Sequence, residues 1–314
     1  MSAFYQYFVL SAPLFAIVLI GYLLAQWPRW RVAWTQWATK FVFFFAIPAM
    51  LFHLMSDLSS LPPINAILLV AFFGGCLVVF VIGRLVAAKY FHLDGVAQSV
   101  FALGGIFSNN VLLGLPLAKM TLGAAAVPSV ALVVVFNAMT LWTLVSISIE
   151  WARHGSLTVT GFGKMAWGVV TSPLVAAILV GVLFGLSGLK LPVIVDRALS
   201  GVGAIAGPGA LLVLGMGLTQ YGIRSGWQQS AAICALKLVV FPLTVWLLAT
   251  LLGLPPLETK VIVLLASMSV GTNVYLMSMQ FQTMQGAVAS SLVLSTALAA
   301  FTTPLFLAAM AAVL

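Results

Sequence analysis

Ten apolar runs shape this chain, at about 7–26, 37–55, 64–87, 97–120, 127–149, 165–187, 198–219, 229–252, 259–282 and 286–313. Each is close to the roughly 20 residues that a helix needs to cross a bilayer. Hydrocarbon offers an open backbone no hydrogen-bond partner, so only helices and closed barrels can span it. The runs are continuous rather than alternating. That excludes a barrel and predicts an all-α multi-pass membrane protein with ten transmembrane helices. The short loops leave no room for a soluble catalytic domain. Hydrophobic residues make up 63% of the chain and charged ones 6%, as this class requires. The first run has no basic flank and no cleavage site, so it reads as a retained span.

The fourth run is not an ordinary spanning helix. At its middle stands Gly104-Gly105-Ile106-Phe107-Ser108-Asn109-Asn110-Val111-Leu112-Leu113-Gly114-Leu115-Pro116. Pro116 lacks a backbone donor, and its ring clashes with the carbonyl four residues back, near Leu112. Such a break survives in a membrane only where it faces protein or a wet cavity. Two readings fit this stretch by itself. One is a glycine-rich kink whose asparagines bond between helices. The other is a discontinuous helix whose ends and amides hold a solute at mid-membrane.

Comparison of the chain with itself favours the second. Ala12-Pro13-Leu14 through Gly21 resembles Ser172-Pro173-Leu174 through Gly181, and 173 − 13 = 181 − 21 = 160. Pro48-Ala49-Met50-Leu51 resembles Pro208-Gly209-Ala210-Leu211 at the same offset. Leu77-Val78-Val79-Phe80 returns as Leu238-Val239-Val240-Phe241, offset by 161, and Asn110-Val111 as Asn273-Val274, offset by 163. Each half then carries five spans, residues 1–150 and 165–314, joined by a short polar linker at 151–164. Five is odd, so the second half enters from the opposite face, giving the inverted repeat found in secondary transporters. The image of Asn110 lies in a second polar interruption, Ser267-Met268-Ser269-Val270-Gly271-Thr272-Asn273. Related by the repeat, the two interruptions are expected to cross at mid-membrane.

Asparagine amides donate and accept without a charge to desolvate. Beside the positively polarised amino ends of broken helices they suit a carboxylate. Asn109, Asn110, Thr272 and Asn273 are therefore the expected solute ligands, with Asn137 on the fifth span as a further wall or an interhelical bond. Gly114, Pro116, Ser269 and Gly271 mark the helix breaks. Lys237 is the one charge well inside a span, which makes it a functional-site residue by default. It either attracts an anion, takes part in coupling, or holds the carbonyl end of a broken helix. Hard cations prefer oxygen, so sodium could be held by Ser267, Ser269 and Thr272. The alternative coupling ion is the proton, although the spans carry no central Asp, Glu or His for a relay. The same lack argues against an enzyme. Two cysteines and three histidines build neither a disulfide frame nor a metal site, and no cofactor is called for.

The net charge of +8 is spread among loops and is not a nucleic-acid surface. It reports orientation. With the amino terminus outside, Arg29, Arg31, Lys40, Arg84, Lys89, Arg153, Lys164 and Arg224 fall at cytoplasmic ends. Lys119, Lys190, Arg197 and Lys260 fall outside. Eight against four places both termini outside a cell membrane. Trp27, Trp30, Trp34 and Trp37 read as a headgroup anchor.

Asn109 followed by Gly114-Leu115-Pro116-Leu117 and Gly123 resembles the fourth-span signature of the auxin efflux carrier family. Pro48-Ala49-Met50-Leu51-Phe52 and Pro208-Gly209-Ala210-Leu211-Leu212 resemble its second- and seventh-span motifs. The resemblance covers nearly the whole chain. It implies ten helices in two inverted five-helix repeats, crossing broken helices four and nine, a homodimer and a small organic anion such as malonate, malate or an auxin. It carries the family's fourth-span asparagine and proline onto Asn109 and Pro116, and its ninth-span asparagine onto Asn273. One departure is Ser269, where the family commonly has proline. The alternatives from the residues are a sodium-coupled symporter of bile-acid type and a solute-sensing receptor; no filter segment argues for a channel.

Overall fold

The computed structural model describes residues 3–27, 32–56, 65–154, 173–219 and 226–313. Over these residues, helix runs through each of the ten apolar segments. The helices are α1 (Ala3–Gln26), α2 (32–56), α3 (Ile67–Lys89), α4 (Gly95–Ile106), α5 (Asn110–Leu122) and α6 (Val127–His154). They continue as α7 (Pro173–Leu186), α8 (Val193–Leu218), α9 (Trp227–Leu251), α10 (Pro256–Ser267), α11 (Thr272–Gln280) and α12 (Gln285–Val313). Six of them (α1, α2, α3, α8, α9 and α12) are long and apolar enough to cross a membrane. The protein is an all-helical, multi-pass membrane protein.

The solvent for which such a chain folds explains its surface. Leu19, Phe44, Val81, Leu247 and Phe301 stand exposed on α1, α2, α3, α9 and α12. In water they would be a liability; against acyl chains they lose nothing. The interior is instead defined by close approach. α1 packs on α8 at two glycines that face each other's backbone. A Cβ at Gly21 would lie 2.1 Å from the Leu212 carbonyl oxygen, and one at Gly215 would lie 1.9 Å from that of Val18. Lipid supplies no hydrophobic force between helices, so contact at this range is what holds them together.

Three of the prolines within the helices share a signature that Pro13, Pro208 and Pro304 lack. The turn before Pro48, Pro116 and Pro242 is a π turn in each case, at Val42–Ala46, Asn110–Gly114 and Leu236–Val240. In each, the residue before the proline donates five residues back: Ile47 to Val42, Leu115 to Asn110, Phe241 to Leu236. Widening the turn moves the upstream carbonyl out of the way of the pyrrolidine ring. This corrects the expectation at Gly114 and Pro116. Neither interrupts a helix, because the π turn absorbs the proline. The extended break lies upstream, at Phe107–Asn109.

α6 continues through Trp151 to His154, the first residues of the expected linker. Trp34 and Trp37 stand exposed on α2, as an anchor requires. Trp30, Arg29, Arg31, Lys164, Arg224 and the rest of the expected linker lie outside the described residues.

Candidate functional site

Two helix ends set up the centre of the molecule. Asp94 begins α4 by accepting from the backbone N–H groups of Val96 and Ala97, both at 2.9 Å. From there α4 runs to Ile106, buried from Ser99 on, and Phe107, Ser108 and Asn109 leave the helix before α5 resumes at Asn110. α10 is likewise buried from Val261 to Ser267, and Met268 to Gly271 are extended before α11. The two extended pieces run antiparallel with Ser108 opposite Val270. Asn109 N–H donates to the Ser269 carbonyl at 2.9 Å, and Gly271 N–H to the Phe107 carbonyl at 2.8 Å. Ser108 and Val270 are thus a non-hydrogen-bonded pair, whose N–H groups point away from the partner strand. That of Val270 finds Ser295 Oγ on α12 at 3.0 Å.

Pairing this close explains one residue. A Cβ at position 271 would lie 2.8 Å from the Phe107 ring and 3.2 Å from the Ser108 carbonyl oxygen. Only Gly271 lets the strands meet. Ser269, at the family's proline position, offers the carbonyl that receives Asn109. Gly271 and Ser269 therefore lie within the break itself.

The backbone at the crossing is well bonded; the side chains are not. Both the Asn110 amide nitrogen and its oxygen are buried without a hydrogen-bond partner. So are Asn109 Nδ2, Asn137 Oδ1, Ser108 Oγ and Ser269 Oγ. Asn137 stands on α6, which packs against α4, α5 and α10. Leaving such groups unpaired in an apolar interior costs about 1–3 kcal/mol each. Ser108, Asn109 and Asn110 are consecutive, and Ser269 pairs with Asn109 across the break. Thr272 and Asn273 occupy the first turn of α11, half-buried. Ser267 is placed differently. Its hydroxyl donates to the Leu264 carbonyl at 2.8 Å and reaches Thr303 Oγ1 on α12, while its carbonyl accepts from Thr303. It serves the α10–α12 contact.

Helix ends of both signs meet at the crossing. α5 and α11 both begin here, each with the positive end of a helix dipole. α4 and α10 end here with carbonyls. Lys237, wholly buried on the π turn of α9, donates to the Ala266 carbonyl and sits 4.9 Å over the Phe241 ring. The carbonyl end of α10 is thus hydrogen-bonded by the Lys237 amine. Asp94, Asp196 and Glu258 stay at the far ends, in or beside the first turns of α4, α8 and α10. Among the described residues, no group of three or more His, Cys, Asp or Glu could hold a metal ion.

Sequence reasoning missed Ser108, Phe107, Ser295 and the Ala266 carbonyl. Ser108 adjoins the asparagines and was within reach. Ser295 and Ala266 act across helices, where no local pattern points to them.

An all-helical multi-pass membrane protein agrees with what comparison finds. A family model described as membrane transport protein matches residues 7–307, and the chain belongs to that family, the auxin efflux carriers. It is a membrane transporter and not an enzyme. It is similar, at 25% identity over 298 residues, to the "Putative malonate transporter" of Rhizobium meliloti (strain 1021). The match covers 93% of this chain and 92% of that relative.

Proposed function

We propose that this transporter carries a small organic anion of the malonate or malate kind across the cell membrane, by alternating access around the α4–α5 and α10–α11 crossing. The reading includes ten spans as two inverted five-helix halves, both termini outside, and a homodimer. The observation that carries it is the set of unpartnered side chains of Asn109, Asn110, Asn137, Ser108 and Ser269 beside two helix amino ends. A carboxylate accepts from amides and hydroxyls and is stabilised by both dipoles. The printed name of the Rhizobium relative supports malonate as the first solute to try.

Uptake of labelled malonate into proteoliposomes, with and without a sodium or proton gradient, tests the proposal. Asn109→Ala and Asn273→Ala should each abolish uptake while the detergent-solubilised protein keeps its Tm. Full uptake by both variants would remove the crossing from the solute path.

A further inference from the structure

The two hydrogen bonds that pair the breaks are images of one another. A shift of 162 residues carries Phe107, Ser108 and Asn109 onto Ser269, Val270 and Gly271, and it exchanges the Asn109-to-Ser269 bond with the Gly271-to-Phe107 bond. The shift falls among the offsets of 160 to 163 that relate the two halves of the sequence. At the centre of the pairing, Ser108 and Val270 each aim an N–H away from the other strand. They fare differently. Val270 N–H meets Ser295 Oγ at 3.0 Å, and that hydroxyl donates in turn to the Leu292 carbonyl at 3.3 Å. Ser108 is 2% exposed, and among the described residues no acceptor meets its N–H. A buried N–H in that condition is rare.

The same shift accounts for the difference. Ser295 on α12 corresponds to position 295 − 162 = 133, which is Val133 on α6, buried and without a hydroxyl. The other offsets reach Leu132, Val134 and Val135, which bring none either. One helical turn further the relation reverses, for Asn137 on α6 corresponds to Ala299 on α12. Val133 and Asn137 share a face of α6, the helix that packs on α4 and α5.

We propose that the crossing is one-sided: one carboxylate of the solute is received on the face toward α6, where the Ser108 N–H, the Ser108 hydroxyl and the Asn110 amide donate to it, while Ser295 closes the face toward α12. The inference rests on reading the crossing as the solute site. A carboxylate on the α6 face gains charge-assisted bonds from donors that are already out of water. On the α12 face it would have to displace Ser295 from Val270, and would find Ala299 in place of an amide.

The test moves the hydroxyl from one face to the other. Val133→Ser, Val133→Ala and Ser295→Ala are compared with wild type as purified full chain in nanodiscs, by labelled-malonate binding and by Tm. Val133→Ser gives Ser108 N–H the acceptor that Ser295 gives Val270. Without ligand it should melt above Val133→Ala. It should also bind malonate at least tenfold more weakly than Val133→Ala, as loss of one charge-assisted bond implies. Ser295→Ala should melt below wild type and keep malonate affinity within threefold. Equal Tm in the two Val133 variants would show that no free N–H faces α6 there, and would overturn the inference. Equal malonate affinity in the two would overturn it as well, and a tenfold loss in Ser295→Ala would move the carboxylate to the α12 face. The reading of the crossing as solute site fails on a different result. If Asn109→Ala and Asn273→Ala keep full uptake while Val133→Ser still melts above Val133→Ala, the asymmetry of the pairing stands and the solute travels elsewhere.

Discussion

Lys237 shows how much of a residue's meaning lies in its neighbour. Its ammonium reaches a carbonyl among the last of α10, where no intrahelical donor is available, and that carbonyl end is electrostatically negative. Lys237→Met keeps the stem's packing and removes the donor. We expect it to lower stability by about 1–3 kcal/mol, read as a fall in Tm, with malonate affinity changed less than threefold. A large loss of affinity at unchanged Tm would instead make the ammonium a solute ligand. Gly271 is under a different constraint. Gly271→Ala drives a methyl into the Phe107 ring and should separate the paired strands, giving poor yield of folded protein in detergent size-exclusion chromatography.

Among elements, the interrupted helices and the π turns belong together. Pro116 widens the turn over Asn110–Gly114, and that turn sets how Asn109 and Asn110 are presented after the break. Pro116→Ala restores a donor and permits an ordinary α turn. The expected outcome is a protein at least as stable as wild type with uptake reduced tenfold or more, because the amides rotate off their positions. Equal uptake would show that the asparagines do not depend on the π turn. The α1–α8 contact makes a simpler prediction. Gly215→Ala places a methyl 1.9 Å from the Val18 carbonyl oxygen, so α1 must move away. Overpacking of this kind destabilises by roughly 1–3 kcal/mol or more and should show as a lowered Tm.

Across the whole molecule, the apolar rhythm, the class and the presence of two polar interruptions were readable residue by residue, because a bilayer imposes length and polarity on every span. The positions of the breaks were only half readable. Ser269 and Gly271 fall within the second break, since small polar residues there end α10 directly. Pro116 and Gly114 pointed too far along the chain, since proline's clash was relieved locally. The orientation belongs to this scale too: a cysteine introduced at position 3 should react with an impermeant maleimide in intact cells if the termini lie outside.

What the chain determined alone is what the membrane demands of each segment: apolar length, helical backbone, and polar residues kept for places away from lipid. Which polar residues remained unpaired was decided in three dimensions. Ser295 met Val270 and Ala266 met Lys237, while the side-chain amide of Asn110 met nothing. Hydrogen-bond satisfaction is a property of neighbours brought together by packing, and linear spacing does not encode it.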